Sequence, residues 1–249
     1  MRELTTLALG LQANDRADNE YYDHTDAFAD WQGVIVAANA STVQNLAVTA
    51  SIRWQCDLPA LRDAAFVGLL DCSPIVMDRL PRTSPHLTSL TITGAEPEDH
   101  KHTTLETVFV AFESAPSILP QLTSFKLLAF PHDSGVTVAH ERIVATFLKN
   151  KMLLRRLHID LSSGRRSFAC RSILEVLPTL PYLEVLGVQL SCYTLSIDEL
   201  RFYDVHLPRD LTSLLVYARF GMVNVSPEEL LSLVSAHLVA MLTRSDYYA

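Results

Sequence analysis

Long apolar runs, cysteine, glycine and charge are all scarce in this chain of 249 residues. No stretch reaches the ~18 consecutive apolar residues that would span a bilayer. The four cysteines, Cys56, Cys72, Cys170 and Cys192, form no C-x-x-C pair. A secreted disulfide scaffold would hold cysteine far more densely, so these read as free, mostly buried thiols in a reducing compartment. With 8 glycines and 12 prolines the sequence is neither collagen-like nor a linker. Charged residues are 19 % and hydrophobic residues 49 %, the reverse of a disordered chain. The net charge of −8 argues against a nucleic-acid-binding surface. A chain of this length buries roughly three quarters of its unfolded surface. The start, Met1 to Leu9, is not a signal peptide: its apolar part is short, threonines break it, and Glu3 opposes a basic beginning. The sequons Asn39-Ala40-Ser41 and Asn224-Val225-Ser226 matter only in an exported chain. The expectation is a soluble protein of the cytoplasm or nucleus, without membrane or nucleic-acid partners.

Catalytic signatures are missing as well. There is no G-x-S-x-G elbow, Walker A loop, G-x-G-x-x-G or H-E-x-x-H, and His140-Glu141 lacks the second histidine. Glu96-Pro97-Glu98-Asp99-His100-Lys101-His102 is the one cluster with metal-ligand residue types. A solvated insertion loop explains it more simply. No catalytic residue, metal site or cofactor is therefore expected.

What is abundant is leucine, roughly one residue in six, well above its usual share. It is spaced. The pattern L-x-x-L-x-(L/I/V) occurs at Leu4/Leu7/Leu9, Val43/Leu46/Val48, Leu87/Leu90/Ile92, Leu122/Phe125/Leu127, Leu154/Leu157/Ile159, Leu183/Leu186/Val188 and Leu211/Leu214/Val216. First positions are 39, 44, 35, 32, 29 and 28 residues apart. The last two steps have the length of leucine-rich repeats, and the others read as the same unit with insertions. Each motif ends in the strict alternation of a short strand. Pro85, Pro120 and Pro181 stand two residues before the first leucine and Pro208 three before, where proline ends a helix.

Between these strands the period is helical. Asp26–Ala38, Leu61–Leu70 (stripe Leu61, Ala65, Leu69), Leu105–Phe112, Ile143–Leu148 and Cys170–Leu177 each carry one apolar stripe. Ser196-Ile197-Asp198-Glu199 and Ser226-Pro227-Glu228-Glu229 are capping boxes, the first opening a short helix at Leu200 and the second a helix over 226–242. The expected fold is α/β: a leucine-rich-repeat-like solenoid of about seven irregular strand–loop–helix units. A parallel sheet lines its concave face and helices its convex face. The whole of 1–249 forms one domain, with 226–242 as the C-terminal capping helix. A doubly wound α/β fold would carry continuous Val/Ile strands without the fixed leucine signature.

The segments Pro85-His86-Leu87-Thr88-Ser89-Leu90-Thr91-Ile92, Pro181-Tyr182-Leu183-Glu184-Val185-Leu186-Gly187-Val188 and Asp210-Leu211-Thr212-Ser213-Leu214-Leu215-Val216 resemble the leucine-rich-repeat region of fungal-type F-box proteins. The resemblance covers nearly the whole chain. It implies a substrate-recognition arm of a ubiquitin-ligase adaptor. The F-box itself, which would precede the repeats, has no room before Leu4; Leu58-Pro59-Ala60-Leu61 is similar to an F-box opening but falls inside a repeat. The asparagine that closes such strands is replaced by Gln12, Ser51, Ala95, Phe130, Ser162, Ser191 and Arg219.

Side chains between the leucines face the concavity, because side chains alternate along a strand. The first rows there are small: Thr6, Ala8; Asn45, Ala47; Ser89, Thr91. Later rows hold Lys126, then Arg156, His158 and Asp160, then Gln189, then Tyr217. Arginine and tyrosine are favoured at interface hot spots. Residues 149–171 carry seven Lys or Arg against Asp160 alone; solvated charge is the first reading, and a basic patch that selects an acidic partner is the sharper one. The expected function is a non-catalytic protein–protein interaction module that binds a protein through Lys126, Arg156, His158, Asp160, Gln189 and Tyr217. Simple pairing of His158 and Asp160 with Arg156 is the competing account of those residues. Two other functional readings are an enzyme with a site near His158 and Asp160, and a fragment of a longer protein. The first repeat, uncapped on its outer side, is expected to self-associate through its open edge.

Overall fold

The computed structural model of the chain describes residues 4–9, 25–49, 56–69, 74–94, 105–129, 136–161, 171–191, 202 and 205–219, with only the backbone at 25–29, 49, 68–69, 74–78, 189–191 and 216–219. Its strands are β1 (Thr6–Leu9), β2 (Asn45–Thr49), β3 (Asp63–Leu69), β4 (Ser89–Gly94), β5 (Ser124–Leu128), β6 (Arg156–Asp160), β7 (Val185–Ser191) and β8 (Ser213–Arg219). Its helices are α1 (Thr25–Ala38), α2 (Pro74–Thr83), α3 (Glu106–Ser114), α4 (Val138–Lys149) and α5 (Arg171–Leu174), followed by a 3-10 turn at Leu177–Thr179. The strands form one all-parallel eight-stranded sheet in the order β1 to β8. Every strand therefore lies beside its neighbour in sequence.

The register is the same at each step. Thr6, Asn45, Asp63, Ser89, Ser124, Arg156, Val185 and Ser213 make one row across the sheet. A backbone device just before the strands fixes it. The carbonyls of Thr5, Gln44, Arg62, Thr88, Thr123, Arg155 and Glu184 each accept two consecutive N–H groups of the next unit, at 2.8–3.1 Å. Thr88, Thr123 and Thr212 add their hydroxyls to the same carbonyls. A second device precedes it. The N–H groups of Leu61, Leu87, Leu122, Leu154 and Leu183 donate to the carbonyls of Leu58, Ser84, Leu119, Lys151 and Leu180. This closes the same turn five times, burying its ends and exposing much of its middle.

Alternation then sorts the strand residues. Leu46, Val48, Phe66, Leu90, Ile92, Phe125, Leu127, Leu157, Ile159, Leu186 and Val188 are buried on one face. Helix residues Val108, Phe109, Phe112, Val144, Phe147 and Leu148 belong to the same core. Phe125 of β5 meets Phe112 of α3 and Phe147 of α4, with ring centroids 5.9 and 5.3 Å away. The helices thus cover the leucine face of the sheet. The opposite face is intermediate or exposed at most described positions.

Three features differ from the sequence reading. The sheet has eight strands rather than about seven, because the stripe at Leu61–Leu70 is not a helix. Residues Asp63–Leu69 are β3, and the 44-residue step holds a full extra unit, Leu61/Ala64/Phe66. Alanine in the second leucine place hid the motif; Ala64 still points into the core and Ala65 to the other face. The helix of this region is instead α2, which starts at Pro74, a residue suited to a first helical turn. Finally, the expected helix at Cys170–Leu177 stops as α5 at Leu174, and Pro178 draws the following residues into a 3-10 turn. Of the short helix expected to open at Leu200, Phe202, Val205 and His206 are described and are helical, while the helix expected over 226–242 lies outside the described residues.

Two buried charges fasten neighbouring units. Glu141 of α4 accepts the Ser172 N–H at 2.6 Å and so caps α5. Burial pushes its carboxyl up, opposed by the Ser172 and Ile173 amides. Lys151 stands where Leu58, Leu119 and Leu180 stand in other units and is fully buried. Its ammonium donates to the Pro116 carbonyl at 2.9 Å and lies 3.9 Å from the Phe147 ring centre. Burial lowers its pKa from 10.5 to about 8. The unfolded chain thus holds this proton to higher pH than the folded one, so stability rises with pH between about 8 and 10.5. Lys151→Met should abolish that alkaline gain. At pH 7 its loss of the Pro116 bond offsets its relief of a buried charge, leaving stability within ~1 kcal/mol of the parent. Urea unfolding at pH 7, 8.5 and 10 measures both.

Candidate functional site

The same register that buries the leucines sets out the open face. Lys126 lies on β5 and Arg156, His158 and Asp160 on β6. Lys126 is opposite His158, Leu128 opposite Asp160, and Ser124 opposite Arg156. Strand alternation puts all three β6 residues on one side. The sheet thus brings Lys126, Arg156, His158 and Asp160 together as expected. Gln189 and Tyr217 are directly paired between β7 and β8, with side chains outside the described set. The row Asp63, Ala65 and Val67 on β3 was absent from the sequence reading. The length of the 44-residue step was its only trace.

His158 is held by its neighbour as much as by its own strand. Its register partner on β7 is Gly187. A β-carbon there would sit 2.8 Å from the imidazole Cδ2, 2.9 Å from Cγ and 3.3 Å from Cβ of His158. The ring therefore occupies the space that a side chain at 187 would fill. Glycine here is a matter of close approach rather than of backbone conformation. On the far side of Gly187 stands Leu215, which is exposed.

The electrostatics follow from this arrangement. Burial lowers the His158 pKa below its ordinary value, and the nearby Lys126 cation lowers it further, while Asp160 opposes. His158 is therefore a neutral hydrogen-bonding ring near pH 7 rather than a third cation. Arg156 is exposed. Arg155, just before the strand, is bridged to Glu184 at 3.3 Å. The face thus offers two cations, a carboxylate and a neutral imidazole within two strands. Among the described residues no group of three or more His, Cys, Asp or Glu could hold a metal ion. Residues 96–102 lie outside them. No helix among the described residues is long and apolar enough to cross a membrane. Comparison with protein-family models and with curated proteins found no match for the chain.

The packing of His158 on Gly187 can be tested directly. Gly187→Ala should cost ~1–3 kcal/mol, the usual range for overpacking. His158→Ala should restore most of that loss in the double variant, a coupling that denaturant unfolding of the four proteins resolves. The proton linkage has a definite sign. The unfolded imidazole, near 6.5, protonates before the folded one, so His158 makes stability fall as pH drops below about 6.5. His158→Gln should flatten that part of the stability–pH curve.

Proposed function

We propose that this chain is a non-catalytic protein-interaction module built as a leucine-rich-repeat solenoid. Its open sheet face would be the concave surface and its helices the convex cover. The repeated shared carbonyls, the repeated turn and the sequential parallel strand order support that architecture. The observation that carries the functional reading is the placement of Lys126, Arg156 and His158 on one side of β5 and β6, with Lys126 in register opposite His158. Their mixed charge lies on a sheet face that the helices leave uncovered. Parallel sheets in doubly wound folds are covered on both faces, so an uncovered face is free to serve as a surface. Eight strands at ~4.8 Å spacing give it a length of about 35 Å, enough for a protein partner. In keeping with its resemblance to F-box repeat regions, the module acts as a substrate-recognition arm in the cytoplasm or nucleus. Its site is Lys126, Arg156, His158, Asp160, Gln189 and Tyr217, and no cofactor takes part.

Cross-linking and affinity capture with the full chain identify the partner, and titration calorimetry then measures it. Arg156→Ala and Lys126→Ala should each weaken binding at least ~5-fold, the equivalent of ~1 kcal/mol at an interface anchor. Normal binding by both variants, together with loss in Glu113→Ala or Arg142→Ala on the helix side, would place the site on the other surface. A carboxylate docking beside Lys126 offsets that cation, so it raises the proton affinity of His158. Binding of an acidic partner should then take up a proton and strengthen between pH 7 and 6 in the parent, but not in His158→Gln.

Self-association is the second proposed contact. Among the described residues β1 ends the sheet order and pairs only with β2, and Leu4 beside it is 44 % exposed. Light scattering should show a concentration-dependent dimer that Leu4→Lys weakens; a monomer at all concentrations would refute it.

A further inference from the structure

The five repeated turns place equivalent residues side by side along one edge of the sheet, at the N-terminal ends of the strands. In three consecutive units the exposed middle positions are Pro120-Gln121, Met152-Leu153 and Pro181-Tyr182. Each turn is closed by the same backbone bond, and each leads into the next strand of the sheet. Met152 therefore lies between Pro120 and Pro181, and Leu153 between Gln121 and Tyr182. Met152, Leu153 and Tyr182 are 52 %, 40 % and 55 % exposed. The adjoining turn on one side carries Pro85 and His86, and on the other Arg209 and Asp210. The strip's large apolar side chains thus lie in two adjacent units, flanked by Pro120.

Cations border it. Lys149 precedes the strip at the end of α4, and Arg155 and Arg156 follow it into β6; all three are exposed. Glu184 is bridged to Arg155, which leaves Lys149 and Arg156 to set the local charge around Met152 and Leu153. Neighbouring turns are one strand spacing apart, ~4.8 Å. Residues at i and i+4 on a helix are ~5–6 Å apart. An amphipathic helix laid across the strand ends therefore matches the strip's repeat, and its acidic flank would face Lys149 and Arg156. We infer that this edge is a docking strip for an acidic amphipathic helix of a protein partner, adjoining the open sheet face and sharing Arg156 with it.

The test uses the full chain and three synthetic 18-residue helical peptides that share one leucine face and carry glutamate, glutamine or lysine on the flank. Fluorescence anisotropy should show the glutamate peptide binding at least tenfold more tightly than the other two. The double variant Met152→Asp, Tyr182→Asp should lose that binding at least tenfold. Met152→Gln, which adds no charge, should weaken it in the same direction. The unfolding midpoints of the variants should stay near the parent's, since these side chains are exposed. Lys126→Ala, on the open face, should leave it within twofold, so failure here is distinguishable from failure of the sheet-face reading. Equal affinity for the three peptides would overturn the inference. So would normal binding by the double variant, or stronger attachment to phosphatidylserine vesicles that the same variant abolishes.

Discussion

The carbonyls of Thr5, Gln44, Arg62, Thr88, Thr123, Arg155 and Glu184 each serve two N–H groups of the following unit, and this shared acceptance leaves the next strand one register. A slip of a single residue would turn every leucine to the open face. The hydrogen bonds and the apolar pattern therefore specify the same alignment twice. That agreement explains why units of unequal length still stack. Whatever lies between two strands, each returns to the same carbonyl. The segment joining β2 to β3 is the extreme case, because Val43 and Leu61 are 18 residues apart.

The device also explains which substitutions the units tolerate. The first turn position holds leucine in Leu58, Leu119 and Leu180, serine in Ser84 and lysine in Lys151. Its carbonyl makes the turn, so the side chain is free to vary if its polar end finds a partner. Lys151 finds the Pro116 carbonyl of the preceding turn and the Phe147 ring. The Ser84 hydroxyl is buried with no hydrogen-bond partner among the described residues. A lone unpartnered hydroxyl costs ~1–3 kcal/mol. The unit of β4 is accordingly less well satisfied than that of β6. These two units thus differ in how their first turn residue is satisfied.

Much of this was legible in the sequence. Seven of the eight strands, and the helices over Thr25–Ala38, Glu106–Ser114 and Val138–Lys149, follow from leucine spacing and a change of period. The strand β3 was not legible, because Leu61, Ala65 and Leu69 satisfy a helical stripe as readily as a strand. Only the register against Asn45 and Ser89 decides between them. The site was legible as rows, since strand alternation alone assigns Lys126, Arg156, His158 and Asp160 to one side. The dependence of His158 on Gly187 was not. It is a contact between residues 29 positions apart, and a glycine in a strand carries no sign of what lies over it. The edge formed by Met152, Leu153 and Tyr182 was hidden for a related reason. In sequence these are scattered apolar residues beside core leucines, and their exposure appears only once the turn is closed.

The two faces of the sheet are constrained unequally, and this decides where function can vary. A core position such as Phe125 touches aromatic rings from two helices, so a change there disturbs three elements. An open-face position such as Lys126 is constrained chiefly by the residues across from it. The register makes those partners the same for every unit: one residue on the strand before and one on the strand after. Charge can accumulate there one row at a time without cost to the core. The described rows of β1 to β4 hold Asp63 as their only charge, whereas Lys126, Arg156 and Asp160 crowd into β5 and β6. Gly187 then relieves the crowding by removing the side chain that would otherwise compete with the His158 ring. A cluster of polar groups that needs a neighbouring glycine to fit is not a by-product of the leucine pattern, which would be satisfied equally by threonine or serine in those rows.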